Sequence, residues 1–251
     1  MKATGRQLRI RELLETQEFV DLETLCRQLD ASESSIRRDL SELEQQRVLK
    51  RVHGGALAIK PRDQLLDFSW QSTRNAAEKQ RIAKVAAAMI EDEQTVILDG
   101  GSTTAAVAAE LANRSLHIIT NSLAIAEIFK NSRQIEVILT GGYLYPRLEI
   151  MLGPLCESTL AGVAADVLIM GIGGITEVGL SNNITLLVGS ERKMIEVARK
   201  VIIVADHTKF GKPAMVHLAP IDIVDIIVSD EGLAPEYRQM LQAKGIQIVL
   251  A

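Results

Sequence analysis

Residues 99–104 directly follow an apolar run and combine one acid, two glycines and three hydroxyls, Asp99-Gly100-Gly101-Ser102-Thr103-Thr104. Glycines let backbone N–H groups approach an anion closely, and hydroxyls can donate further hydrogen bonds to it. If the segment opens a helix, the helix N-terminus adds positive potential. Asp99 would repel a phosphate, but its carboxylate can accept hydrogen bonds from sugar hydroxyls. The segment therefore predicts binding of a phosphorylated polyol.

Similar polar residues follow other apolar runs of the chain. Asn121 lies in Thr-Asn-Ser after one run, Gly141 and Gly142 follow the next, and Lys209 lies in Asp-His-Thr-Lys after a later one. Any one of these is ordinary turn chemistry in an α/β domain. Together they favour a ligand cleft, in which Lys209 could supply the counter-charge for a phosphate. His207 allows either a surface role or a packing role.

Apolar runs alternate with helical patterns from residue 95 onward. Helices between buried strands indicate a largely parallel sheet that is covered on both faces, and such sheets bind ligands beyond the carboxyl ends of their strands. The seven runs are TVILD (95–99), HIIT (117–120), IEVILT (135–140), DVLIMGIGG (166–174), VIIVAD (201–206), DIIVSD (225–230) and IQIVL (246–250).

The first sixty residues have a different pattern, that of three short helices. Asp21 can cap the second helix, and Ser32 can cap a third helix whose buried side carries apolar residues. A tight connection at Asp30-Ala31 separates the two. This arrangement is typical of a helix-turn-helix.

The outward face of the third helix would carry Ser34, Ser35 and Arg38, with Arg37 beside them. Small hydroxyls allow close approach to a DNA groove, and arginines can reach guanine edges or phosphates. The next stretch, VLKRVHGGALAI, predicts a hairpin with glycines at its turn. Arg51 and His53 would lie along this hairpin, in the place of a wing. Double-stranded DNA is the favoured partner, and a helical protein-docking domain is the alternative.

Composition excludes several other classes of protein. Residues 47–62 include five Lys or Arg and no acid, within a chain of net charge -4, so the positive charge is local. Aromatic residues make up 3% of the chain, too few for a surface that stacks single-stranded bases. Cys26 and Cys156 form no metal-ligand set with histidines, so no metal or cofactor is expected. No apolar run reaches bilayer length and the N-terminus is charged, which predicts a cytoplasmic protein without a membrane partner.

The segment SSIRRDLSELEQQRVLKRVHGGA resembles the N-terminal signature of DeoR-type bacterial transcriptional repressors. LDGGSTT, IITNSLAIA, LTGGYL and ADHTKFG are similar to motifs of the effector domain in the same family. The resemblance implies a winged helix-turn-helix followed by an α/β effector domain related to sugar-phosphate isomerases of the ribose-5-phosphate isomerase type. It also implies a homo-oligomer, either a dimer or a tetramer. The operator contacts it implies are Ser34, Ser35, Arg37, Arg38, Arg51 and His53.

These observations predict three regions: a DNA-binding domain over 1–58, a linker over 59–76 and an effector domain over 77–251. The predicted function is sequence-specific repression of a carbohydrate catabolic operon, with operator affinity controlled by a phosphorylated sugar. A sugar-phosphate isomerase-like enzyme is the alternative, but no base–electrophile pair can be assembled from the sequence. Residues 179–195 follow no pattern that identifies the sugar. The predicted effector site comprises Asp99, Gly100, Gly101, Ser102, Thr103, Thr104, Asn121, Gly141, Gly142 and Lys209.

Overall fold

The chain divides into two compact units, Met1–Arg74 and Asn75–Ala251. The structure is a computed structural model that describes residues 3–17, 19–45, 48–58 and 67–251. Three residues of the basic segment noted in the sequence, Arg47, Lys60 and Arg62, lie outside the described residues.

The first unit is built from three helices and a three-stranded antiparallel sheet. Ile10, Leu25, Ile36 and Leu43 are fully buried where the three helices meet, as the apolar spacing predicts. The elements are α1 (Ala3–Thr16), β1 (Phe19–Asp21), α2 (Leu22–Leu29), α3 (Glu33–Gln45), β2 (Leu49–Val52) and β3 (Gly55–Ala58).

Local side-chain chemistry sets the turn between α2 and α3. Asp21 caps α2 by accepting a 2.7 Å hydrogen bond from the Thr24 N–H, as predicted. Asp30 ends α2 in the left-handed region at φ 46°, which turns the chain sharply into α3. The predicted helix-turn-helix is therefore present.

The predicted wing is also present, as the antiparallel hairpin of β2 and β3, with β1 added beside β3. Gly54 takes φ +84° in the turn, as expected, but Gly55 does not have a positive φ. A Cβ atom on Gly55 would lie 2.4 Å from the Val20 carbonyl oxygen. The second glycine is therefore required by the close approach of β1.

The described part of the predicted linker is helical. Asp67 caps α4 (Phe68–Thr73) by accepting a 3.1 Å hydrogen bond from the Trp70 N–H, and the Arg74 guanidinium lies 4.8 Å from the centre of the Trp70 ring system. Residues 59–66 lie outside the described residues. Because this segment lacks a sustained helical pattern, the sequence predicted a linker without regular secondary structure. A capped helix of six residues is too short to show such a pattern.

The second unit is organised by a seven-stranded sheet in the order β15-β14-β12-β9-β4-β5-β6, in which every neighbouring pair is parallel. All seven predicted runs form its strands. They are β4 (Thr95–Leu98), β5 (Leu116–Thr120), β6 (Ile135–Leu139), β9 (Ala165–Met170), β12 (Ala198–Val204), β14 (Ile226–Ser229) and β15 (Gln247–Leu250).

Helices cover both faces of this sheet, which explains the nearly continuous apolar runs. Ile97, Leu168 and Ile203 belong to one core cluster, whereas Val96 and Ile202 belong to another. The helices are α5 (Ala76–Ala87), α6 (Ser102–Leu111), α7 (Leu123–Phe129), α8 (Pro154–Ala161), α9 (Thr185–Val197) and α10 (Pro235–Ala243).

Two smaller antiparallel elements were not predicted. One is a hairpin of β7 (Tyr143–Tyr145) and β8 (Ile150–Leu152). The other is a sheet of β10 (Gly174–Thr176), β11 (Gly179–Asn182) and β13 (Val216–Ala219). Their strands are only three or four residues long, too short for a clear alternating pattern. Among the described helices, none is both long and apolar enough to cross a membrane.

Candidate functional site

The exposed face of α3 carries most of the residues predicted to contact DNA. Ser34, Arg37 and Arg38 are exposed and Ser35 is half-buried, whereas Ile36 faces the core. Ser32 lies just before the helix, where its hydroxyl contacts the hydroxyls of Ser34 and Ser35 at 3.1 and 2.9 Å. The structure thus brings small hydroxyls and two guanidinium groups together near one helix N-terminus.

A buried ion pair fixes α3 against α1. The Arg6 Nε donates to Asp39 Oδ2 at 2.6 Å, and the Asp39 side chain is only 2% exposed. Asp39 follows Arg37-Arg38 in the chain but points to the opposite side of the helix. This role of Asp39 was not predicted from the sequence. Its position three residues after Ile36, on the apolar side of the helix, is the signal that could have identified it.

The wing places Arg51 on β2 and His53 in the turn, and both side chains are exposed. The Gly54 carbonyl accepts a 2.8 Å hydrogen bond from the Leu22 N–H, which ties the turn to the start of α2. Glu44 accepts a 2.8 Å hydrogen bond from the Arg51 backbone N–H and so ties β2 to α3. The wing and the helix-turn-helix are held together by these contacts.

In the second unit, Asp99 ends the central strand β4 and lies at the carboxyl edge of the sheet. Its side chain is 2% exposed, and its carboxylate accepts backbone hydrogen bonds from Gly100 and Gly171. Burial raises the pKa of Asp99 to about 7, because these two hydrogen bonds only partly compensate the loss of solvent. Its Oδ1 atom has no hydrogen-bond partner among the described residues.

A second buried carboxyl group lies near Asp99. Glu191 on α9 is fully buried, and its pKa is raised well above the ordinary value by burial and by the charge of Asp99. The Asn182 side-chain amide donates to Glu191 Oε1, and Glu191 Oε2 has no hydrogen-bond partner in the part of the chain that the structure describes. Glu191 was not predicted, because it lies within residues 179–195, which follow no recognisable pattern. Its neighbours in sequence, Ser190 and Arg192, gave no indication of burial.

A buried lysine lies at the glycine-rich segment. Lys79 on α5 is 7% exposed, and its Nζ donates a 2.8 Å hydrogen bond to the Ser102 hydroxyl at the first residue of α6. Thr103 is buried, and the Thr104 hydroxyl donates to the Gly101 carbonyl at 2.9 Å. An ammonium group therefore lies at a helix N-terminus that already attracts anions.

Lys79 was also missed by the sequence analysis. It lies on the buried stripe of α5, three residues before Ile82 and four before Ala83. A lysine within an apolar stripe is the signal that could have identified it, because buried lysines are rare unless they have a partner.

Asn121 lies beside the segment at the end of β5 and is fully buried. Its side chain donates to the Met151 carbonyl at 3.2 Å, and its backbone carbonyl accepts from the Met151 N–H at 2.7 Å. No described residue donates a hydrogen bond to the Asn121 Oδ1 atom. A Cβ atom on Gly100 would lie 2.2 Å from Ile150 Cγ2, so the glycine allows β8 to lie against this edge.

Strand order separates the remaining predicted residues. Gly141 and Gly142 follow the edge strand β6, four strands away from β12, which precedes Lys209. Neighbouring strands lie about 4.8 Å apart, so the ends of β6 and β12 are separated by about 19 Å. At this distance the two glycines and Lys209 cannot bind the same phosphate. Gly142 has φ +131°, and a Cβ there would lie 2.5 Å from the Leu152 carbonyl oxygen, so it has a structural role.

Lys209 lies in a short 3₁₀ turn, His207–Lys209, after β12. Burial alone would raise the pKa of Asp206, but hydrogen bonds from Thr208 and the charge of Lys209 outweigh it and lower that pKa. His207 contacts Asp230 Oδ2 through Nδ1 at 2.7 Å. No group of three or more potential metal ligands occurs within the described parts of the chain.

A model described as the DeoR-like helix-turn-helix domain matches residues 6–62, and a model described as the DeoR C-terminal sensor domain matches residues 74–231. The chain belongs to the DeoR family.

Curated relatives match this DeoR-family chain over nearly its whole length. The glycerol-3-phosphate regulon repressor of Escherichia coli K12 is 35% identical over 100% of both chains. The HTH-type transcriptional regulator GolR of Listeria innocua is 33% identical over 98% of both. Because such relatives are transcriptional regulators, the prediction of a DNA-binding regulator, not an enzyme, is confirmed.

Solved structures show more distant similarity. Ribose 5-phosphate isomerase A of Methanocaldococcus jannaschii is 18% identical with a TM-score of 0.37, over 54% of this chain and 55% of that one. The tetrameric eIF2B-beta2-delta2 complex of Chaetomium thermophilum is 11% identical with a TM-score of 0.45, over 90% of this chain and 81% of that one.

Proposed function

We propose that this DeoR-family regulator represses a carbohydrate catabolic operon in the cytoplasm, and that a phosphorylated sugar bound near Asp99 changes its affinity for operator DNA. The observation that carries the proposal is the buried Lys79 ammonium at the N-terminus of α6, together with the buried oxygen atoms of Asp99 and Asn121 that receive no hydrogen bond from any described residue. A phosphorylated polyol carries a phosphate group that can bind the ammonium and hydroxyl groups that can donate to the oxygen atoms.

The phosphate would bind where Lys79 contacts Ser102. Backbone N–H groups at the start of α6, the Ser102 hydroxyl and the Lys79 ammonium are all donors, as phosphate requires. Thr104 is less suitable because its hydroxyl already donates to Gly101. Lys209 remains a proposed contact that a longer ligand could reach.

The sugar hydroxyls would bind on the Asp99 side. Asp99 Oδ1 and Asn121 Oδ1 are buried oxygen atoms that have no hydrogen-bond partner among the described residues, and leaving such atoms unpaired is costly. Ligand hydroxyls that donate to them would remove this cost. Asp99 therefore has the role of a hydroxyl acceptor.

Thermal-shift measurements test this site, because a ligand that binds only the folded chain raises Tm by mass action. A panel of sugar phosphates should include members that raise Tm, and the matching sugars without phosphate should not. Lys79→Met should abolish the shift, whereas the control Lys84→Met, at an exposed position on the same helix, should retain it. An unchanged shift in Lys79→Met would place the phosphate elsewhere, and Lys209→Met would then test the second lysine.

Operator binding is proposed to use Ser34, Ser35, Arg37 and Arg38 on α3, together with Arg51 and His53 on the wing. The support is their common exposure on a helix-turn-helix with an attached wing. Binding should be sequence-selective and should weaken steeply with salt. Arg38→Ala together with Arg51→Ala should reduce operator affinity in fluorescence anisotropy, whereas Arg27→Ala on α2 should have little effect. Equal affinity for operator and random duplexes in the wild type would contradict the proposal.

The regulator is also proposed to act as a homo-oligomer, either a dimer or a tetramer. Helix-turn-helix proteins present paired recognition helices to two half-sites, which needs two copies. The edge strand β6 and the adjacent chain expose large apolar side chains, and an open edge strand can pair with a second copy. This edge patch comprises Ile138, Leu139, Tyr143, Leu144 and Leu155. Leu144→Lys with Leu155→Lys should convert the oligomer to monomers in analytical ultracentrifugation, and an unchanged sedimentation profile would contradict this interface.

A further inference from the structure

The two neighbouring arginines of α3 have different surroundings. The Arg37 Nε and Nη2 both donate to Glu33 Oε1, at 2.9 and 2.5 Å. Arg38, by contrast, has no hydrogen bond or ion pair to any part of the chain that the structure describes. The sequence placed both residues on one DNA-binding face and could not distinguish their roles.

The Glu33–Arg37 pair is not explained by folding stability. The two side chains are 58% and 60% exposed, and ion pairs at such exposure contribute little to stability in water. An acid at the start of the helix that faces DNA also repels phosphates, which lowers affinity for any duplex. A carboxylate in this position therefore suggests a role in specificity.

The geometry of the pair indicates that role. Both hydrogen bonds use one side of the guanidinium, that of Nε and Nη2, so the end that carries Nη1 stays available. The N–H groups of Nη1 and the second N–H of Nη2 lie at that end. Two of them point in parallel and match the O6 and N7 acceptors that guanine presents in the major groove. A guanidinium held by Glu33 loses less side-chain freedom when it binds a base, because its orientation is already set.

We propose that Glu33 is a positioning residue that orients Arg37 to read a guanine, while Arg38 binds backbone phosphate. The proposal rests on DNA binding through α3 and adds a division of labour between the two arginines. Glu33 then increases discrimination between base pairs and decreases affinity for DNA in general.

Selection of binding sites from a randomised duplex library tests the proposal with the full-length chain. The wild type should select a motif with a G·C pair at one position in each half-site. Glu33→Gln and Arg37→Ala should each weaken the preference for that guanine by about tenfold and leave the other positions unchanged. The matched control is Glu23→Gln, which removes the same charge from an exposed position in the first turn of α2 and should leave the motif intact.

Two further measurements separate orientation from charge and from folding. Arg38→Ala should leave the motif unchanged but reduce the salt dependence of binding by about one ion, as the loss of a phosphate contact predicts. Glu33→Gln should bind random duplexes more tightly than the wild type and should show an unchanged circular dichroism spectrum. If Glu33→Gln selects the same motif with the same strength as the wild type, Glu33 does not position Arg37. If the wild type selects no motif, the wider proposal for α3 is wrong as well.

Discussion

Asp99→Asn should stabilise the chain at alkaline pH, although the substitution lies in the proposed effector site. Burial raises the pKa of Asp99 to about 7, whereas the ordinary pKa of an aspartate is about 3.9. When folding raises the pKa of a carboxyl group, the fold is most stable at low pH, where the group is protonated in both the folded and the unfolded chain. This stability is lost as the pH rises through the folded-state pKa, because the group ionises more readily in the unfolded chain than in the folded chain.

The loss of unfolding free energy follows from the difference of about three between the folded-state and unfolded-state pKa values of Asp99, because a difference of one corresponds to about 1.4 kcal/mol. The full loss is therefore about 4 kcal/mol, of which about 2.5 kcal/mol falls between pH 5 and pH 8. Asparagine cannot ionise, so this part of the pH dependence disappears in Asp99→Asn. The raised pKa of Glu191 acts in the same direction, and loss of the Asp99 charge should also lower that pKa.

Urea denaturation followed by circular dichroism at pH 5, 6, 7 and 8 measures the effect. The difference in unfolding free energy between Asp99→Asn and the wild type should grow with pH in favour of the variant. The exposed Asp222→Asn serves as a control for the same change of charge. If Asp99→Asn loses stability between pH 5 and pH 8 as steeply as the wild type, Asp99 does not titrate in this range and the reasoning fails.

Two further predictions concern the DNA-binding unit. Gly55→Ala should lower the Tm of this unit and weaken DNA binding, because the new Cβ would lie 2.4 Å from the Val20 carbonyl oxygen. Scanning calorimetry measures the Tm, and fluorescence anisotropy measures DNA binding. An unchanged Tm would contradict the close approach of the two strands. Asp21→Asn should remove stability that is present at neutral pH and lost on acidification, because the hydrogen bond from the Thr24 N–H lowers the pKa of Asp21. Tm values of the variant and the wild type should therefore converge as the pH falls below the ordinary pKa of an aspartate, and parallel curves would contradict the role of the cap.

Helix caps and strand patterns were predictable because they depend on neighbours in the chain. Asp21 and Ser32 each accept a hydrogen bond from a backbone N–H three residues away, and the seven sheet strands are continuous apolar runs. The glycine-rich segment at 99–104 was predictable for the same reason. Its residues are consecutive, and they lie between a strand and a helix.

The partners of that segment were not predictable, because each comes from a distant part of the chain. Lys79 reaches Ser102 from α5, and Glu191 reaches the Asp99 neighbourhood from α9. Gly141 and Gly142 have a motif that resembles the others, but the strand order places them after the edge strand of the sheet, four strands from the strand that precedes Lys209. The order of parallel strands depends on packing between distant runs, which no local pattern records.

The sequence by itself determined the two kinds of domain, the helix-turn-helix with its wing, the parallel sheet and the family resemblance, since all of these follow from local spacing. Only the tertiary structure decided which charges act together. It buried Asp39 against Arg6, bound Glu33 to Arg37 and left Arg38 without a partner in the described part of the chain. The physical reason is that burial and charge pairing depend on distances across the fold, and these distances set both the pKa of Asp99 and the proposed roles of the two arginines.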